Sequence, residues 1–200
     1  MIMINKEAFS AIAEDWSNKR QKPHPPEIFH VKDWKGRILD LGCGNCVNLS
    51  IFKDSELYGI DFSEPMIEQA RKFCEKHNME VELKVGNILD TGYPDKFFDY
   101  IIFSKVLQNN KKNNHIPILL ELRRILKGKC FLAVWNKGYP EHAPGAKEKL
   151  VPWTYNGETF YRYYYMFEEK ELIELVEQAG FKIEEKLSQE DSQNICLIIS

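Results

Sequence analysis

The residue types best placed to do chemistry in this chain are two aspartates and the glycine turn between them. Asp40-Leu41-Gly42-Cys43-Gly44-Asn45-Cys46 closes an apolar run that begins at Arg37 and Ile38, and Asp61 closes a second run, Glu56-Leu57-Tyr58-Gly59-Ile60. Two glycines allow a tight turn and let a ligand approach bare backbone. A carboxylate about 20 residues beyond such a turn, at the tip of the next strand, can accept hydrogen bonds from both hydroxyls of a ribose. The pairing predicts a nucleoside site.

Charge decides which nucleoside. The dinucleotide fingerprint G-x-G-x-x-G needs glycine at position 47, and Val47 stands there. Asp40 beside the turn would repel a pyrophosphate but suits a cation, and S-adenosylmethionine carries an ammonium and a sulfonium and no phosphate. We therefore expect S-adenosylmethionine as cofactor, leaving as S-adenosylhomocysteine. Two plainer readings stay open. The glycines could serve only a β–turn–α connection, with Asp61 capping a helix that opens near Ser63. Cys43-Gly44-Asn45-Cys46 is also a C-x-x-C between strand and helix, the place of a thioredoxin-like redox pair, although that reading gives Asp61 no role. A metal knuckle would need a second pair, so no metal is expected.

These residues must be positioned by strands and helices that alternate along the chain. Phe9, Ile12, Ala13 and Trp16 form an apolar stripe that predicts a helix over residues 5–15, and Pro23, Pro25 and Pro26 cannot continue it. Strands are expected over 37–41, 56–61, 81–85, 98–103 and 130–135. A helix should start within 44–50, and further helices should cover 64–78 and 115–126. From 136 to 158 the pattern dissolves into a long polar loop, the expected mobile cover of a site. A helix over 168–179 and strands over 181–186 and 194–199 complete the order. Alternation at this spacing predicts an α/β, Rossmann-like three-layer sandwich around a mostly parallel sheet.

Composition agrees with one such domain. The chain has 200 residues, 44% of them apolar and 28% charged, which excludes coiled coil, collagen and a wholly disordered chain. No run of 18 apolar residues occurs, so no membrane span is expected. Residues 1–10 lack an uninterrupted apolar core, and five scattered cysteines suit reduced thiols, so a cytoplasmic protein is expected. The net charge of −3 does not itself call for nucleic acid; an anionic partner must meet a local patch.

Residues 37–46 and 58–70, with Gly59-Ile60-Asp61-Phe62-Ser63 and Met66, resemble the first two motifs of class I S-adenosylmethionine-dependent methyltransferases. Ile12-Ala13, then Trp16-Ser17-Asn18-Lys19-Arg20-Gln21-Lys22-Pro23-His24-Pro25, is similar to the I-A…F-S-x-T-R-x-K-P-W-P opening of the tRNA wobble-uridine carboxymethyl methyltransferases. Leu150-Val151-Pro152-Trp153 and Arg162-Tyr163-Tyr164-Tyr165 resemble that family's V-P-W and R-Y-Y-H segments, and Glu168-Glu169-Lys170-Glu171-Leu172 its late helix. The resemblance implies one methyltransferase domain over 1–200, with an N-terminal helix and arm at 5–35 and a lid at 136–167. It implies a seven-stranded sheet whose last strand is antiparallel. It assigns Asp40, Gly42, Cys43, Gly44, Asp61, Phe62, Met66, Asn87, Ile88 and Ser104 to the cofactor, Asn87 as an acceptor for the adenine amino group. The chain departs from the family in five places: Cys46 replaces the last glycine of G-C-G-N-G, Asn87 replaces an acid, Leu107-Gln108-Asn109-Asn110 replaces I-H-H-L, and Tyr165 replaces the histidine of R-Y-Y-H. In the fifth, Ile195 follows Asn194 where the family has tryptophan.

Methyl transfer from a sulfonium is an in-line displacement, so positioning supplies most of the catalysis. A carboxylate acceptor, with pKa about 4, is already ionised at neutral pH and needs a cation to hold it rather than a base. Arg162, Tyr163 and Arg20 are expected to bind and position that carboxylate, with Lys22, Tyr164 and Asn194 contacting the rest of the substrate. The reaction implied by the resemblance is esterification of the carboxymethyl group on a tRNA wobble uridine. The alternatives are a small carboxylic acid or other metabolite as acceptor, or a non-catalytic subunit that keeps the fold. The implied partners are tRNA, met by clusters such as Arg123, Arg124, Lys127 and Lys129, and a small zinc-binding activator protein.

Overall fold

β-Branched and aromatic residues fill the runs around the glycine turn, and each run forms a strand. The computed structural model describes residues 2–139, 141, 145–190 and 192–200. In chain order the elements are α1 (Ile2–Ala11), α2 (Ala13–Lys19), β1 (Arg37–Leu41), β2 (Glu56–Asp61), α3 (Glu64–Lys76), β3 (Val81–Val85) and β4 (Phe98–Ser104). They continue with α4 (Lys112–Ile125), β5 (Leu126–Trp135), β6 (Glu148–Tyr155), β7 (Glu158–Tyr165), α5 (Glu169–Gln178), β8 (Ile183–Lys186) and β9 (Asn194–Ile199).

Seven strands form one sheet in the order β3-β2-β1-β4-β5-β9-β8. Strands β1 to β5 run parallel, and β9 is antiparallel to both β5 and β8. This is the expected Rossmann-like sheet with its last strand reversed. Side-chain alternation separates two apolar layers. Leu39 and Leu41 face Leu119 and Leu122 of α4 and Leu172 of α5, while Ile38 faces Ile67 and Ala70 of α3. Each aliphatic side chain buried this way contributes about 1.5–3 kcal/mol. Helix α3 starts where its caps dictate: the Ser63 hydroxyl accepts from the Met66 N–H at 3.3 Å and Pro65 sits in the first turn.

Three expected elements differ. The helix over 5–15 is broken at Ile12 into α1 and α2. The helix expected within 44–50 is a single 3-10 turn, Val47–Ile51, because Cys46 enters it left-handed at φ 62 and the chain must reach β2 a few residues later. The polar loop over 136–158, of which residues 140 and 142–144 lie outside the described residues, ends in an antiparallel hairpin of β6 and β7. Its turn is Asn156-Gly157, at φ 49 and φ 80, the left-handed pair that a two-residue hairpin requires. Pro152 is tolerated because β6 pairs on one side only.

Candidate active site

Open parallel sheets bind ligands beyond the carboxyl ends of their strands, where the strand order reverses, here between β1 and β4. Asp40 lies there, 1% exposed, and its Oδ2 has no hydrogen-bond partner. Burial, and next the charge of Asp61, push the Asp40 carboxyl up to about 8. A buried carboxylate with one open oxygen fits a cationic ligand, which would supply the partner and favour the ionised form.

The turn is stitched to β2. Gly42 and Cys43 N–H groups both donate to the Ile60 carbonyl, at 2.8 and 2.9 Å. Gly42 sits at φ 80, and a Cβ there would come within 2.4 Å of Val106. The Gly44 N–H donates to Asp61 Oδ2 and the Ser63 N–H to Asp61 Oδ1, both at 3.0 Å. Burial raises Asp61 to about 6 against the backbone hydrogen bonds from Ser63, Gly44 and Phe62. Ser63, rather than Asp61, caps α3, so Asp61 spans the glycine turn and the helix start. Cys43 is pushed up to about 11 by burial, the opposite of the stabilised thiolate that a redox C-x-x-C needs, and all five cysteines are free and buried.

The N-terminal segment lies over this turn. Asn45 Nδ2 donates to the Ser17 hydroxyl at 3.1 Å and to the Arg20 carbonyl at 2.8 Å, and the Trp16 ring packs where a Gly44 Cβ would point. Phe9 meets Phe62 edge to face, and the Ser10 and Ser63 hydroxyls share a 2.8 Å hydrogen bond. Met66 is buried beneath. The Ser104 hydroxyl donates to the His24 carbonyl at 3.2 Å, tying the end of β4 to the arm. Asn87 Oδ1 is taken by the Leu89 N–H in a local turn, and Ile88 packs against the main core.

The hairpin carries the residues expected to hold the acceptor. Arg162 is buried, with its guanidinium over the rings of Trp153 at 4.8 Å, Tyr164 at 5.4 Å and Phe9 at 5.8 Å. Its Nη1 donates to the Tyr164 hydroxyl at 3.1 Å, its Nε has no partner, and no carboxylate pairs with it among the described residues. Burial holds its pKa below the usual value, with the Arg20 charge acting in the same direction. Tyr164 stacks on Trp135. Tyr163 is one residue out of phase: it packs in the core with Tyr165, away from the Arg162 guanidinium, and its backbone N–H donates to Asn5 Oδ1. Lys22 is exposed and makes no side-chain hydrogen bond or ion pair among the described residues. Asn194 is buried at the start of β9, beside Trp135 in the register.

Two titratable side chains here escape a reading of the sequence. Lys105 follows β4 directly, at φ 62, and burial with the Arg20 charge lowers it to about 7. His24 is lowered to about 4 by burial, Lys105 and Arg20. The rule that flags Gly42 and Asp61, the carboxyl ends of the strands, would also have flagged Lys105. His24 reaches it only through the path of the arm. Arg20 thus acts on His24, Lys105 and Arg162 alike, and Lys105 on His24, while Asp40 and Asp61 lie at the carboxyl ends of β1 and β2. Among the described residues, no group of three or more His, Cys, Asp or Glu side chains is placed to hold a metal, and no helix is long and apolar enough to cross a membrane.

A doubly wound sheet whose first turn lies between two buried aspartates defines a nucleoside-binding α/β domain. The chain belongs to the methyltransferase domain family, whose model matches residues 32–185. It is 29% identical to the demethylmenaquinone methyltransferase of Bacillus mycoides over 56% of this chain and 49% of that protein. The chain therefore matches about half the length of that relative. Among solved structures, a Pyrococcus horikoshii protein superposes with a TM-score of 0.70 at 23% identity, covering 87% of this chain and 85% of that one. The 1,6-didemethyltoxoflavin-N1-methyltransferase of Burkholderia thailandensis, bound to its substrate and S-adenosylhomocysteine, superposes at 0.71 with 15% identity, covering 99% and 86%. At these identities the superpositions establish the fold.

Proposed function

We propose that this methyltransferase takes its methyl group from S-adenosylmethionine and transfers it to a carboxylate, the carboxymethyl group of a tRNA wobble uridine. The observation that carries the carboxylate is Arg162, a buried guanidinium with no counter-ion among the described residues. A buried charge without a partner is costly, and an oxyanion in fork geometry is the group that offsets it. The tRNA rests on the likeness of residues 12–25, 150–153 and 162–165 to that family.

The donor, when bound, supplies an electrophilic methyl on a sulfonium. Asp40 accepts its ammonium and Asp61 its ribose hydroxyls. Arg162, with Arg20 behind it, orients the acceptor oxygen toward the methyl. As the new C–O bond forms, the C–S bond breaks and its electron pair stays on sulfur. The carboxylate and sulfonium charges cancel and no proton moves, so no side chain has to act as a base.

The test is methyl transfer to an anticodon stem–loop carrying 5-carboxymethyluridine, with small carboxylic acids in parallel. An alkali-labile methyl ester on the RNA, lost in Arg162→Ala, is the expected result. Esterification of small acids alone would replace tRNA with the second reading, a metabolite acceptor. That reading draws on the contact between the N-terminal segment and the hairpin, where the Trp153 indole N–H donates to Asp15 at 2.8 Å. Methylation of an amine would end the carboxylate assignment. The same likeness supports a small zinc-binding activator as partner, checked by co-purification and light scattering.

A further inference from the structure

Three buried polar atoms near the end of β5 lack partners: Gln108 Nε2, Asn194 Oδ1 and Arg162 Nε. Their residues are 0%, 4% and 5% exposed. Native cores satisfy nearly all such atoms, so three in one neighbourhood point to a ligand. Trp135 links them. Its backbone N–H donates to Gln108 Oε1 at 2.6 Å. Asn194 is its register partner on β9. Its ring stacks on Tyr164 at 4.5 Å, and the Tyr164 hydroxyl accepts from Arg162.

The bond from Trp135 settles the polarity of Gln108. Only the carboxamide oxygen can accept from a backbone N–H, so the NH2 group is the end left open. Asn194 contributes the opposite polarity, an acceptor. Neither side chain titrates, so this pair is the same at every pH, unlike the histidines found here in the resembling family.

We infer that Gln108 and Asn194 read the edge of a flat cyclic imide whose carboxylate arm is held by Arg162. Gln108 Nε2 donates to a ring carbonyl, and Asn194 Oδ1 accepts from the adjacent ring N–H. The substrate class is a pyrimidine with neighbouring carbonyl and N–H groups. This assignment rests on the carboxylate reading above and adds the residues that select the ring.

Two substitutions and one chemical probe test it. Gln108→Met keeps the length of the side chain, adds no charge and removes the carboxamide donor. Its KM for the 5-carboxymethyluridine stem–loop should rise about tenfold, the loss of one buried hydrogen bond, with kcat and S-adenosylhomocysteine affinity unchanged. An N3-methylated acceptor should cost the wild type a similar factor in kcat/KM. Asn194→Ala should lose that factor on the ordinary acceptor and nothing more on the N3-methylated one. Asn194→Ser serves if the alanine variant folds poorly, as judged by S-adenosylhomocysteine binding. An unchanged KM in Gln108→Met, or losses from Asn194→Ala and N3-methylation that multiply, would overturn the inference while the carboxylate reading stands. A wild type that neither binds nor esterifies the ordinary stem–loop removes that reading and the inference with it.

Discussion

Asp40 and Glu121 are carboxylates at opposite ends of one sheet, and they are treated in opposite ways. Glu121, on α4, is met on every side: Oε1 accepts from the Thr91 N–H and hydroxyl and from Arg124 Nη2, while Oε2 accepts from Arg124 Nε. Burial alone would raise it, but the hydrogen bonds from Arg124 and Thr91 outweigh that and hold it at about 2. Asp40 is buried more deeply, has an oxygen with no partner, and rises to about 8. Glu121 belongs to a finished structural network. Asp40 is finished only by something that binds. The partnerless buried atoms of Asp40, Gln108, Arg162 and Asn194 lie toward the carboxyl ends of the parallel strands, and the hydroxyl of Tyr93, beside Arg124, is one such atom at the other end.

The contrast breaks most visibly at Asp40. Asp40→Asn should weaken donor binding on the order of 10²–10³-fold, the cost of removing one member of a buried charge pair, as read by calorimetry. The same change should stabilise the ligand-free protein at pH 8. The folded-state pKa lies above the ordinary 3.8, so stability from the protonated form is complete below about pH 4 and fades as pH rises through about 8. Asparagine would remove that fade in thermal melts across pH 5–9. In the wild type, donor affinity should climb with pH toward about 8 by up to about tenfold per unit, because the cation competes with the Asp40 proton. Proton release in buffers of different ionisation enthalpy checks this.

Arg162→Lys keeps a charge but loses the fork, and kcat/KM for the carboxylate acceptor should fall by about ten- to a hundredfold with donor affinity intact. At the other end of the sheet, Glu121→Gln should leave donor affinity and turnover alone. It should cost only about 1–2 kcal/mol in denaturant unfolding, since its Arg124 partner is 36% exposed and solvent screens the pair. A loss of donor binding there would mean the two ends are coupled, and the contrast would lose its meaning.

The glycine turn, Asp40, Asp61 and the strand order around them are legible because each depends on a few neighbouring residues. Apolar strands, a turn that tolerates positive φ and a carboxylate at the next strand tip all lie within 37–61. The hairpin was in view as well. Tyr155-Asn156-Gly157-Glu158 holds the two-residue turn signal, but Pro152 and the polar alternation of 148–155 read as loop until the pairing partner is known. Tyr163 shows the cost of reading a strand residue by residue: period-two alternation sends it into the core while Arg162 and Tyr164 share the other face. Gln108, Lys105 and His24 carry no local signature of their own.

From its sequence alone this chain is a mostly parallel α/β domain whose first strand ends at a cation-suited nucleoside turn, because strand period, turn glycines and caps are local properties. Which polar atoms would be buried without partners was decided only in three dimensions. Desolvation and hydrogen-bond saturation depend on what the arm, the hairpin and β9 bring to the same place from more than a hundred residues apart, and no spacing along the chain encodes that.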